Sequence, residues 1–94
     1  MDKPSSMPHR PKSAFAIVRF NAKTYDRGAV IAVIGGRANA EATMEEIQRV
    51  QESSDWIAGW RYFLEQTDLN PGTDPEEATR ARQAHFEQRE SNHR

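Results

Sequence analysis

The chain has 94 residues, no cysteine and a formal net charge of −1, with 36% hydrophobic and 29% charged residues. That length holds one domain, and a domain so small buries only a modest share of its surface. The absence of cysteine excludes disulfides, thiolate metal ligands and a thiol nucleophile, so packing or a partner subunit must supply the stability.

Residues 1–12 carry Pro4, Pro8, Pro11 and two serines with little apolar content, which reads as a disordered arm. "SAFAIVRFN", Ser13 to Asn21, is rich in aromatic and β-branched residues and predicts a strand. Both of its faces are largely apolar, so it belongs in the middle of a sheet covered on two sides. "AKTYDRG" supplies a hairpin connection. A second strand, "AVIAVI" from Ala29 to Ile34, is again apolar on both faces.

A helix follows. Thr43 with Glu46 three residues on forms a capping box, and Asn39 is a rival start one turn earlier. Met44, Ile47 and Val50 make one narrow apolar stripe, Glu45 and Arg49 are spaced to pair, and Ser53 and Ser54 close the helix. Residues 55–67 read two ways. As a helix, Ile57, Trp60 and Leu64 share a face; as a strand, Trp60, Tyr62 and Leu64 do. Gly59 argues against a helix interior and "WRYF" favours extended chain, so a strand is predicted over 59–67.

"NPG" then turns the chain. Asp74 is an N-cap, Pro75 sits at the first helical position, and Glu76 and Glu77 suit the positive helix end. The last helix has few large apolar residues (Ala78, Ala81, Ala84 and Phe86). It is expected to protrude, or to dock weakly through Phe86, and to fray over 90–94.

Strand, strand, helix, strand, helix gives an α+β fold. A hairpin followed by one helical crossover makes the third strand antiparallel to the first. Order 2-1-3 then places the doubly apolar first strand centrally. The expected organisation is an arm at 1–12, a ββαβ domain at 13–68, and a turn with a C-terminal helix at 69–94.

One helix covers one sheet face. The other face, and the uncharged edge strand "AVIAVI", are left in need of cover. A second copy of the chain is the simplest cover, so a homodimer is expected, with Phe15, Ile17, Val30, Ile31, Val33, Ile34 and Trp60 as candidate interface residues. The C-terminal helix is then free to meet another protein.

Candidate chemistry is sparse. Gly35 and Gly36 after a strand, followed by Arg37, form a candidate anion or nucleotide site. Neither the dinucleotide fingerprint nor the P-loop spacing is present, however, and a strand that simply stops explains the glycines. His9, His85 and His93 show no metal-ligand spacing. The acid pairs Glu45–Glu46 and Glu76–Glu77 sit in first turns of helices, where complementing the dipole explains them. No serine lies in a nucleophile elbow. No cofactor, metal or catalytic activity is expected.

Charge is unevenly spread: residues 1–37 net +5 and residues 38–94 net −6. The basic third makes nucleic acid an alternative partner through Arg10, Lys12 and Lys23, but no basic cluster is dense and no RNP-like motif appears. The longest apolar run falls far short of the roughly 20 residues that span a bilayer, and "MDKPSSMPHRPKS" has no apolar leader core, so no membrane partner and a cytoplasmic location are expected. Arginine outnumbers lysine ten to three, a bias associated with GC-rich bacterial genomes. The expected protein is a bacterial, non-catalytic interaction module acting as a homodimer. A nucleic-acid-binding regulator and a small-anion binder are the alternatives.

Overall fold

A computed structural model describes residues 13–91. The arm expected at 1–12 lies outside them, as does most of the end expected to fray. In chain order the elements are β1 (Ala14–Asn21), β2 (Ala29–Gly35), α1 (Arg37–Arg49), α2 (Ser53–Ala58), β3 (Trp60–Thr67) and α3 (Pro75–Ser91). The fold is α+β, and the three strands form an antiparallel sheet in the order β2-β1-β3. β1 is central, as its composition requires. Its Ile17 and Val18 are fully buried, each contributing about 1.5–3 kcal/mol of transfer free energy.

Side chains alternate along a strand, so β1 sends Ala14, Ala16 and Val18 to one face and Phe15, Ile17 and Arg19 to the other. The first face joins Val30 and Val33 of β2 and Ala78 of α3 in the core, with Phe63 and Leu69 packed against it. The second lies under α1, whose Ala40 is fully buried and whose Arg37 stands 5.8 Å over the Phe15 ring. Both faces therefore carry a helix. The second cover is α3, which docks at its N-terminal end through the small residues Ala78 and Thr79. Small side chains let a helix approach a sheet closely, so this end packs on β2 without large apolar residues.

The crossover differs from expectation at two places. α1 begins at Arg37, capped by Gly36 at φ +86° without a side-chain cap. Thr43 is therefore an interior residue, and its hydroxyl donates to the Asn39 carbonyl at 2.9 Å. Starting the helix at once after β2 brings Ala40 onto the sheet, and that burial outweighs the cap preference. Arg49 pairs with Glu46 rather than Glu45, Arg37 pairs with Glu41 at 3.1 Å, and Val50, expected in the apolar stripe, caps the helix end and is exposed.

The ambiguous segment holds both structures. Ser53 and Ser54 open α2 instead of closing α1, Gly59 at φ +106° ends α2, and β3 starts at Trp60. Asn21, buried at 5% exposure, latches this junction. Its Oδ1 accepts the Lys23 and Thr24 amides at 2.9 and 3.1 Å, and its Nδ2 donates to the Ala58 carbonyl at 3.2 Å. A Cβ on Gly59 would stand 2.6 Å from Asn21 Oδ1, so glycine is needed there for space as well as for its φ.

α3 starts as the sequence predicts. Asp74 Oδ2 accepts the Glu77 amide at 3.2 Å, and Pro75 is the first helical residue.

Candidate functional site

A sheet of three strands has two edges, and the hydrogen-bond parity shows which backbone groups face out. The Gly36 amide donates to the Ser13 carbonyl at 2.8 Å, and the Ala22 amide donates to the Gly59 carbonyl at 2.8 Å. Odd-numbered β1 residues therefore bond to β2 and even-numbered ones to β3. With the observed register, Val30 and Val33 turn outward on β2, and Trp60, Tyr62, Leu64 and Gln66 turn outward on β3.

The β2 edge is sealed. The Val30 amide donates to Thr79 Oγ1 at 2.9 Å, the same hydroxyl lies 3.4 Å from the Val30 carbonyl, and the Gly72 amide donates to the Val33 carbonyl at 2.9 Å. A bulge leaves Ile31 without a partner residue on β1. Bulges and covering elements are the usual protections of an edge strand. The sequence places the open edge on "AVIAVI"; the turn at 68–74 and α3 cross that edge and close it.

The β3 edge is open. Its register with β1 is unbroken from Trp60 to Thr67, without bulge or proline. The Trp60 carbonyl accepts Gln51 Nε2 at 3.1 Å and Arg61 Nη1 at 2.8 Å. Beyond it, among the described residues, the outward N–H and C=O groups of Tyr62, Leu64 and Gln66 meet no protein partner.

No family model, curated protein or solved structure matches this chain.

Of the seven candidate interface residues, Ile17, Val30 and Val33 are core residues at 0–3% exposure. Phe15, Ile31, Ile34 and Trp60 are half-buried, and the Arg19 guanidinium lies 3.8 Å over the Trp60 ring. The structure does not gather the seven into one surface: Val30 and Val33 lie on the α3 face, Phe15 and Ile17 on the α1 face. The large apolar side chains in water are instead Tyr25, Val50, Trp56 and Ile57. Trp56 and Ile57 belong to the turn of helix that leads into β3. Tyr62, Leu64 and Gln66 are not among the candidate interface residues read from the sequence, although order 2-1-3 already makes the third strand an edge.

The Gly35–Gly36–Arg37 turn spends its groups within the chain. The Gly36 amide is bonded to Ser13, Asn39 Nδ2 donates to the Gly35 carbonyl at 3.3 Å, and Arg37 is paired with Glu41. Of the candidate nucleic-acid contacts, Arg10 and Lys12 lie outside the described residues, and Lys23 is exposed on the β1–β2 turn. Arg61, the cation interleaved with the β3 aromatics, lies 3.4 Å over the Trp56 ring.

A cleft of about 490 Å³ runs between α3 and the sheet, lined by Leu69, Ala78, Ala81, Phe86, Glu65 and Arg82. Arg82 crosses it as a clamp. Its Nε pairs with Glu65 Oε1 at 2.6 Å, its Nη1 donates to the Arg27 carbonyl at 2.7 Å, and it lies 4.7 Å over the Phe86 ring. With that side chain only 12% exposed, these contacts fix α3 to β3 and to the β1–β2 connection. His85 stands on the cleft wall beside Phe86. Among the described residues no cluster of three or more His, Asp or Glu has the geometry to hold a metal ion, and no helix is long and apolar enough to cross a membrane. α3, considered as a surface for another protein, exposes Arg80, Gln83 and Glu87 on its outer side.

Proposed function

We propose that the protein is a non-catalytic interaction module of the bacterial cytoplasm that works as a homodimer, with its sheet continued from one copy to the next. The supporting observation is the contrast between the edges: β2 is bulged and sealed by Thr79 and Gly72, whereas β3 is regular and the outward backbone groups of its Tyr62, Leu64 and Gln66 have no partner among the described residues. An exposed regular edge is a template for another strand. The contact that the sequence assigned to β2 is thus reassigned to β3.

Light scattering over a dilution series at two salt concentrations tests the proposal. A dimer at both salts is expected, because backbone pairing and apolar burial are little screened. Gln66→Pro removes one outward N–H without touching the ladder to β1, a placement proline tolerates at an edge. It is expected to yield a folded monomer. A wild-type protein that stays monomeric at every concentration overturns the proposal.

A further inference from the structure

We infer that two copies pair β3 to β3, antiparallel, about a two-fold axis through Leu64; the inference rests on the homodimer reading above. In an antiparallel pair, opposed residues with outward groups exchange both N–H···O bonds. With the axis at Leu64, Leu64 faces Leu64 of the other copy, and Tyr62 and Gln66 face each other on either side. Every open group of Tyr62, Leu64 and Gln66 is then used, and no other is needed. Moving the axis to Phe63 opposes Trp60 to Gln66, and moving it to Tyr62 opposes Trp60 to Leu64. Both alternatives call on the Trp60 carbonyl, which already accepts from Gln51 and Arg61. Those two side chains end the open stretch at residue 60, and the strand itself ends at Thr67, so the two limits together set its centre.

The side chains agree with this register. On the α1 face, Leu64 meets Leu64 and Tyr62 lies along Gln66, with no charge among them. On the other face, Phe63 meets Glu65 and Arg61 meets Thr67. No like charges are opposed, and Arg61 is a diagonal neighbour of the other copy's Glu65, within reach of a long side chain. Arg61 and Glu65 are also held by their own chain, on Trp56 and Arg82 respectively.

Pairing of this kind closes on itself. The joined sheet runs β2-β1-β3-β3-β1-β2, and both of its outer edges are the sealed β2 strands. Assembly therefore stops at two copies and does not propagate into a fibre.

The chain has no cysteine, so single cysteines report the register cleanly. In a hydrogen-bonded antiparallel pair the Cα atoms are about 5.5 Å apart, inside the range a disulfide bridges. Under mild oxidation Leu64→Cys is expected to give mostly covalent dimer. An equimolar mixture of Tyr62→Cys and Gln66→Cys is expected to link across the two variants, whereas Phe63→Cys stays largely unlinked. The mixture keeps the test decisive if Leu64→Cys does not fold. Linking at Phe63 in place of Leu64, with a dimeric mass, overturns the register and leaves the homodimer standing. A dimeric mass with no link at any of these positions also overturns the register. A monomeric mass for the unmodified protein overturns both.

Discussion

Thr79→Val removes the hydroxyl that seals the β2 edge while keeping shape, β-branching and nearly the same helix propensity. The Val30 amide loses its side-chain acceptor, 2.9 Å away. Val30 is 3% exposed, so water does not replace the hydroxyl, and an unsatisfied buried N–H costs about 1–3 kcal/mol. The hydroxyl's own bond to the Pro75 carbonyl, 2.8 Å, is solvent-exposed and adds little. Thr79→Ser keeps the acceptor and loses one methyl group, about 0.8 kcal/mol if fully buried. Urea unfolding followed by fluorescence of the two tryptophans should therefore rank wild type above Ser, and Ser above Val. Packing alone gives the opposite order for the two variants, since valine is the more apolar. A Val variant as stable as wild type would refute the claim that Thr79 seals the edge.

Gly59→Ala should cost at least about 1–2 kcal/mol, the strain of a left-handed residue with a Cβ, measured by the same unfolding assay. Part of that cost is the 2.6 Å approach to Asn21 Oδ1, so in an Asn21→Ala background Gly59→Ala should cost less, a coupling that a double-mutant cycle reads directly. Arg82→Lys should destabilise by about 1–2 kcal/mol, because one ammonium does not serve Glu65 and the Arg27 carbonyl together as the guanidinium fork does. Ala78→Leu should cost about 1–3 kcal/mol by overpacking, with loss of α3 docking visible as faster proteolysis after residue 68.

The main elements were legible because their signals are local. β1 and β2 are dense in β-branched and aromatic residues, and Asp74-Pro75-Glu76-Glu77 combines cap, fixed φ and dipole complement in four positions. α1 was misplaced at its start because Thr43 and Glu46 make a good capping box, whereas the force that starts the helix at Arg37 is the burial of Ala40 against a sheet not visible locally. Residues 55–67 resisted one assignment because Gly59 ends a helix and adjoins a strand. The candidate site was half legible. Order 2-1-3 makes both β2 and β3 edges, and composition drew attention to β2. Which edge is sealed depends on Thr79 and Gly72, far from β2 in sequence and recognisable only once α3 is laid along it. A helix whose inward residues include Ala78 and Thr79 carries no apolar stripe to announce that docking.

The most direct test of the open-edge claim is amide hydrogen exchange followed residue by residue over a dilution series. The Leu64 amide, with those of Tyr62 and Gln66, should be protected at high protein concentration and lose protection on dilution. The Val30 amide, bonded to Thr79 within the chain, should stay protected throughout. A Leu64 amide that exchanges at the unprotected rate at every concentration would show that β3 pairs with nothing, and the homodimer would fall with it.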